Sequence, residues 1–309
     1  MTGMQDWEYG VHGVYDYVEC LQCHIVQLDP FPTEELLKAA YEVDYHGYFS
    51  AQERGRLFRA LSGVQDWFLH REIRRHLQPG CALLDVGCGS GAFLHKMRVL
   101  NPERLDGIDF NAQAAAMATA RGVNVHLGLF STFSSPDQVY DAIFMNNYLE
   151  HVTDPLEELY KAFVLLKKGG VLLGEVPNFR SVDQRLFGRF WGGNHVPRHT
   201  FQFTADTLSE LLTRIGFESV AVECVLNTSH LVLSIQNFLQ RKRSDLRHNP
   251  ALIRGRARYY TPLLIGMIPF NIIPVLLGRS GCMRFAAKVP GVPSSEVVSG
   301  RVGDQHGGG

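Results

Sequence analysis

Two acids, a run of glycines and three histidines are the groups in this chain that could do chemistry together. Leu83-Leu84-Asp85-Val86-Gly87-Cys88-Gly89-Ser90-Gly91 reads as an apolar strand running into a glycine turn and then a helix. Glycines there let backbone N–H groups approach a ligand with no side chain in the way. A dinucleotide fingerprint spaces its glycines G-x-G-x-x-G, but here they run G-x-G-x-G and Asp85 precedes them. A carboxylate beside the loop repels a pyrophosphate and suits a cationic ligand. The next apolar run ends in Gly107-Ile108-Asp109, an acid placed to accept bonds from both hydroxyls of a ribose. The glycines alone could make only a turn, and Asp109 could simply cap a helix. The combination of strand, loop, helix, strand and acid argues for a nucleoside site.

The elements that must position these groups alternate in type. Cys81–Val86, Arg104–Asp109, Val123–Leu127, Val139–Met145, Val171–Val176, Phe217–Val225 and Met283–Val289 read as strands. Helical patterns cover Gly91–Leu100, Ala112–Ala120, Asp154–Leu166 and Thr204–Ile215. Asp154 as N-cap with Pro155 at the first helical position starts the third of these, and Gly169-Gly170 reads as its stop. Such alternation predicts an α/β fold with a parallel sheet and helices on both faces. Ahead of it, a short helix is expected near Thr33 and an amphipathic one over Glu53–Leu77.

These motifs resemble the class I S-adenosylmethionine-dependent methyltransferases, in particular the branch similar to ubiquinone-biosynthesis and sugar or natural-product enzymes. LLDVGCGSG resembles that family's glycine motif and GIDF its ribose-acid motif. DAIFMNNYLEHVTDP (Asp141 to Pro155) is similar to its fourth-strand motif and LKKGGVLLGEVPN (Leu166 to Asn178) to its fifth. The resemblance spans roughly residues 65–225 and the strand near residue 285. It implies a Rossmann-like methyltransferase fold with a seven-stranded, mostly parallel sheet, and S-adenosyl-L-methionine as cofactor. By that resemblance Asp85 faces the methionine amino group, and Gly87, Cys88, Gly89 and Gly91 line it. Asp109 and Phe110 lie at the ribose, and Asn146 and Asn147 beside the cofactor. The family often places an acid near the adenine after the third strand. Gly128-Leu129-Phe130-Ser131 offers none, which implies backbone and apolar contacts there.

Transfer of a methyl from a sulfonium requires alignment of nucleophile and methyl and exclusion of water. An oxygen or carbon nucleophile also needs a base to take its proton. The candidates for that base are His151, next to Glu150, and His195 and His199 in GGNHVPRH, all following carboxyl ends of strands. Any of the three could instead be held in a structural hydrogen bond. Tyr45 and Tyr48, with Phe190 to Phe203, are expected to line the acceptor pocket. No metal is expected, because the resembled pattern Glu-x-x-Glu-His has Asn147 at its first acid, a poor ligand for an ion wanting charge. Cys20 and Cys23 resemble half of a zinc ribbon. His12, His24 and His46 lack convincing spacing to complete the four ligands of structural zinc.

Between the sixth and seventh strands the rhythm breaks. Arg241, Lys242, Arg243, Arg247, Arg254, Arg256 and Arg258 face only Asp245, and Thr261–Leu277 carries no charge. That run is short for a membrane span, which needs about 20 residues, and its three prolines would break a single helix. It reads either as an interfacial element on an anionic membrane through residues 241–277 or as part of the protein's own core or a dimer contact.

Overall composition excludes other classes. The 309 residues are 45% hydrophobic and 20% charged, as in a globular enzyme, and the net charge of −1 offers no general field for nucleic acid. Six scattered cysteines fit a reducing cytoplasm better than a disulfide scaffold, and Met1–Gly10 has no signal-peptide pattern. The expected organisation is an N-terminal cap (1–52), a methyltransferase domain (53–225 and 282–290), an insertion (226–281) and a disordered tail (291–309). The acceptor expected is a small molecule, a sugar or a lipid-linked intermediate, reached in the cytoplasm or on the membrane's cytoplasmic face. An RNA methyltransferase, an NAD-dependent oxidoreductase and a non-catalytic module of the same fold are the rival readings.

Overall fold

Runs rich in leucine, valine and isoleucine build the central sheet, because parallel strands covered on both faces need apolar residues at nearly every position. The computed structural model describes residues 1–42, 73–74, 76–241 and 260–291. Tyr45, Tyr48, most of the helix expected over 53–77, the basic residues from Lys242 to Arg258 and residues 292–309 lie outside them.

The N-terminal residues form strands β1 (Asp16–Glu19) and β2 (Val26–Asp29) and helix α1 (Glu34–Glu42). Then follow β3 (Ala82–Val86), α2 (Ala92–Met97), β4 (Arg104–Asp109), α3 (Ala112–Ala120), β5 (Asn124–Leu127), β6 (Tyr140–Asn146), α4 (Pro155–Leu165) and β7 (Leu166–Pro177). The remainder is α5 (Val182–Phe187), β8 (Phe201–Gln202), α6 (Ala205–Ile215), β9 (Glu218–Val225), α7 (Ser229–Gln240), α8 (Tyr260–Gly266), α9 (Ile268–Leu276) and β10 (Cys282–Lys288).

Seven strands pair in the order β5-β4-β3-β6-β7-β10-β9. The pairs β3–β4, β3–β6, β4–β5 and β6–β7 are parallel, and β10 runs antiparallel to both β7 and β9. The sheet is thus the mostly parallel one expected, with β9 aligned with the others. Two buried clusters fill it out. One joins Leu84, Val86, Ile143 and Met145 to Leu159, Ala162, Leu208 and Leu212 of α4 and α6. The other joins Leu83, Phe144 and Leu173 to Leu94, Met97 and Ala118 of α2 and α3. Facing pairs Asp85 with Gly107 and with Phe144, and Asn146 with Glu175, bring the strand ends level.

Caps follow the sequence. The Asp154 side chain accepts from the N–H groups of Leu156 and Glu157 at 2.9 and 3.0 Å, and Thr204 and Thr207 form a reciprocal capping box on α6. Gly169-Gly170 does not stop a helix, because α4 has already ended at Leu165 and β7 begins at Leu166. The glycines instead sit at a register shift between Tyr140 and Ala142 of the partner strand, with Gly169 at φ 76°, a bulge conformation that glycine tolerates.

A second, three-stranded antiparallel sheet, β1-β2-β8, ties the amino terminus to residues that follow β7. The uncharged run is not one helix but two, α8 and α9, meeting at Met267.

Candidate active site

At the carboxyl end of β3 the chain turns through Gly87, Gly89 and Gly91, all at positive φ (74, 51 and 70°), where a side chain would be strained. A Cβ on Gly87 would lie 2.9 Å from Cδ2 of Tyr148, and one on Gly91 2.7 Å from Cβ of Ala118, whereas one on Gly89 would meet nothing within 4 Å. Two of these glycines therefore serve packing, and the third faces open space. Asp109, at the end of β4, accepts from the N–H groups of Gly89 and Asn111, both at 2.8 Å, and so fixes the loop.

Asp85 and Asp109 are buried, at 3% and 5% exposure. Burial pushes both carboxyls above the usual range, Asp85 strongly, and the charge of Asp109 adds to the shift of Asp85. Among the described residues no cationic side chain pairs with either. A buried carboxylate without a cation is costly, and a positively charged ligand beside the loop would relieve that cost. Cys88 is buried, its Sγ filling the space beside Gly107, while Phe110 is 46% exposed and its ring centroid lies 5.2 Å from that of Tyr41.

Asn146 and Asn147 follow different courses. Asn146 lines a small cleft with Ile73, His76, Phe144 and the ion-paired Glu175 and Arg284. Asn147, at φ 50°, is exposed and donates its N–H to the Glu175 carbonyl at 2.7 Å. Tyr148 covers the glycine turn and donates to Glu158 Oε2 at 3.0 Å.

The three histidines pack together, and two of them, His151 and His199, flank Glu150, which is 1% exposed. Ring centroids of His151 and His199 lie 4.5 Å apart, and those of His195 and His199 5.0 Å apart. Each Nε2 of His151 and His199 stands 4.0 Å from Oε1 of Glu150. Their outer nitrogens meet carbonyls: His199 Nδ1 that of Gly193 at 2.8 Å, and His151 Nδ1 that of Arg198 at 3.1 Å, with the Tyr41 hydroxyl 2.8 Å away. A carbonyl only accepts, so His199 Nδ1 carries the proton, whereas His151 Nδ1 has both a carbonyl and a hydroxyl within reach and is satisfied in either tautomer. Burial and the neighbouring histidines hold His199 well below the usual imidazole range, and it stays neutral.

Access separates the three. Residues 191–204 are buried throughout, so the segment expected to line an acceptor pocket is instead sealed, and Tyr45 and Tyr48 are outside the described residues. The amino-terminal residues do the sealing. Asp6 meets Arg198 at 3.1 Å and Glu8 meets His195 at 3.3 Å, all four fully buried. Arg198 also donates twice to the Ala40 carbonyl, and the Tyr17 hydroxyl donates to the carbonyls of Asn194 and His199. The His151 side chain keeps 14% exposure. It is also linked through Tyr41 to Phe110 beside the ribose acid.

The sequence profile of a methyltransferase domain matches residues 52–222, more than half of the chain. A protein of Mycolicibacterium smegmatis described as a probable S-adenosylmethionine-dependent methyltransferase is 30% identical over 181 residues, covering 56% of this chain and 67% of that one. The chain belongs to the class I S-adenosylmethionine-dependent methyltransferases.

Among other relatives of this methyltransferase, a ubiquinone biosynthesis O-methyltransferase of Cereibacter sphaeroides is 26% identical over 152 residues, with 46% of this chain and 62% of the relative covered. A tRNA U34 carboxymethyltransferase of Alteromonas mediterranea is 29% identical over 179 residues, covering 53% of each. The chain thus spans less than two thirds of the length of these two. A SAM-dependent methyltransferase from Archaeoglobus fulgidus shares the fold, with a TM-score of 0.52, 22% identity and coverage of 79% of this chain and 100% of that one.

The cofactor of this methyltransferase family is S-adenosylmethionine, and the residues present fit it: two buried acids without a protein cation, and an open glycine beside them. A second donor set lies in the histidine cluster. Although no metal was expected, the ligand atoms of Glu150, His151 and His199 all lie within 4.8 Å of one another. Two imidazoles oriented by carbonyls and one carboxylate suit a divalent transition metal. Cys20 and Cys23 lie at the β1–β2 turn, exposed and half-buried. Backbone N–H groups of Cys23 and Gln22 lower the Cys20 thiol, and among the described residues no third ligand joins the pair.

The residues that sequence reasoning missed are Asp6, Glu8, Tyr41 and Tyr148. Only Tyr148 carried a signal, lying inside the fourth-strand motif. The others reach the site from the amino terminus, across separations such as the 192 residues between Asp6 and Arg198.

Proposed function

We propose that this methyltransferase transfers the methyl group of S-adenosylmethionine directly to a small-molecule, glycan or lipid-linked acceptor, with His151 as the base that takes the acceptor's proton. Bound S-adenosylmethionine supplies a methyl activated on a positively charged sulfur. Asp85 would hold its cationic part, Gly89 would let it approach the backbone, and Asp109 would hold the ribose. The observation that carries the assignment of the base is the position of His151. Its side chain keeps more exposure than those of His195 and His199, and Tyr41, 2.8 Å from its Nδ1, joins it to the ribose side of the crevice. His199, packed against its ring beside Glu150, and His195, packed against both rings, fix its orientation.

The division that goes with this reading is a cap over 1–52, whose described residues Asp6 and Glu8 pair with Arg198 and His195, a catalytic domain over 53–225 with 282–290, and an insertion over 226–281.

Radiolabelled donor incubated with the protein and cell extract, then partitioned into lipid, aqueous and RNA fractions, tests the reading. Label in the lipid or small-molecule fraction, with stoichiometric S-adenosylhomocysteine, supports it. Similarity to the tRNA U34 carboxymethyltransferase favours RNA as the second acceptor class, and nuclease-sensitive label would establish that instead. Absence of turnover would leave a non-catalytic module. His151→Asn should abolish turnover while leaving cofactor affinity intact.

A further inference from the structure

Helix α9 is built inside out. Asn271 and Pro274 are buried at its inner side, whereas Phe270, Ile273, Leu276 and Leu277 stand outward at 67, 65, 79 and 66% exposure. At 3.6 residues per turn the buried pair occupies one side of the helix and these apolar residues the other. A helix facing water carries the opposite arrangement, so this outward face is built for contact.

The neighbouring helices extend it. α8 packs against α7, whose last turn exposes Leu239 at 69%, and α7 packs against α5, where Leu186 is 72% exposed. Cations fringe these side chains. Arg185, Arg189, Arg241 and Arg279 are exposed, and none forms an ion pair with a described residue. The one acid on α5, α7, α8 and α9 is Asp183, buried at 2%. The sequence between α7 and α8 keeps the same sign, with Lys242, Arg243, Arg247, Arg254, Arg256 and Arg258 against Asp245. Outward leucine, isoleucine and phenylalanine among uncompensated arginines match a surface that is anionic outside and apolar beneath. Among the described residues no helix is long and apolar enough to cross a membrane, so the contact is made from one side.

We propose that α5, α7, α8 and α9 form a docking surface for an anionic phospholipid bilayer. The outer face of α9 enters the acyl boundary and the arginines meet the headgroup phosphates. α7 follows the carboxyl end of β9, which runs in the same direction as β3 and β4 although it lies at the far edge of the sheet from them. The surface stands on its own residues, whichever acceptor is methylated.

Flotation of the full chain with phosphatidylcholine vesicles, with and without phosphatidylglycerol, tests it. The protein should float with the anionic vesicles and be released by added salt. Ile273→Asp combined with Leu277→Asp should lower the partition coefficient by about tenfold or more, since it takes two apolar side chains out of the acyl boundary and puts charges there. An unchanged thermal shift on adding S-adenosylmethionine shows that the double variant is folded. Failure to float, equal binding to neutral vesicles, or equal binding of the double variant overturns the proposal. So does a dimer in light scattering that the double variant converts to monomer, because the face is then an interface between copies.

Discussion

Asp109 has two tasks, since the carboxylate that would hold the ribose also accepts from the N–H groups of Gly89 and Asn111. Asp109→Ala should therefore weaken S-adenosylmethionine binding by about 1–3 kcal/mol, measured by calorimetry; an unchanged affinity would remove Asp109 from the site. Glu158 offers a pH-dependent test. Burial pushes its carboxyl from 4.5 up to about 7, so the folded protein holds that proton more tightly than the unfolded chain. The stabilisation is complete below about pH 4.5 and is lost as pH rises through about 7, on the order of 3 kcal/mol in all. Denaturation at pH 5 and pH 8 should show this slope in the native sequence and a flatter one in Glu158→Gln. His199 works in the other sense: held below 6.5, it contributes stability that fades on acidification below that value. At this scale the glycine turn and both acids were legible in the sequence, because the chemistry of a nucleoside site compels their spacing. The partners of the histidines were not, because Asp6, Glu8 and Tyr41 bear no spacing relation to residues more than a hundred positions away.

Among the elements, the start of α2 rests directly on α3. Gly91→Ala would place a Cβ 2.7 Å from Ala118 at a φ of 70°, and should cost about 1–3 kcal/mol of stability by overpacking alone. A urea midpoint equal to that of the native protein would contradict so close an approach. The amino-terminal segment is fastened by the buried Asp6–Arg198 pair, and Asp6→Ala should cost about 3–5 kcal/mol by stranding the guanidinium. A loss below about 1 kcal/mol would mean that the segment is held by its apolar contacts instead. Most strands and helices of the central sheet were readable from apolar runs and caps. Three features were not. β1 and β2, at four residues each, are too short for periodicity to register. Gly169-Gly170 reads equally well as a helix stop or a bulge. α9 inverts the usual burial pattern, so its sequence fits a buried helix although its apolar face is exposed.

For the molecule as a whole, S-adenosylmethionine should act as a stabiliser of the native state. At a hundredfold excess over Kd it adds about 2.7 kcal/mol, read as a rise in Tm, and Asp85→Asn should diminish that rise. A Tm that does not respond to the cofactor in the native sequence would argue that the crevice is closed to it.

The placement of β10 also governs how the protein can be made. This strand lies between β7 and β9 and pairs with both, yet it is the last strand to leave the ribosome among the described residues. Domains are synthesised amino terminus first, so until residue 288 emerges β7 has one open flank and β9 has no neighbour at all. The nascent chain therefore carries three open strand edges on these two strands, one on β7 and two on β9, sites at which another chain can add. Chaperone dependence and inclusion-body formation should track the delay before β10 arrives rather than the stability of the finished enzyme.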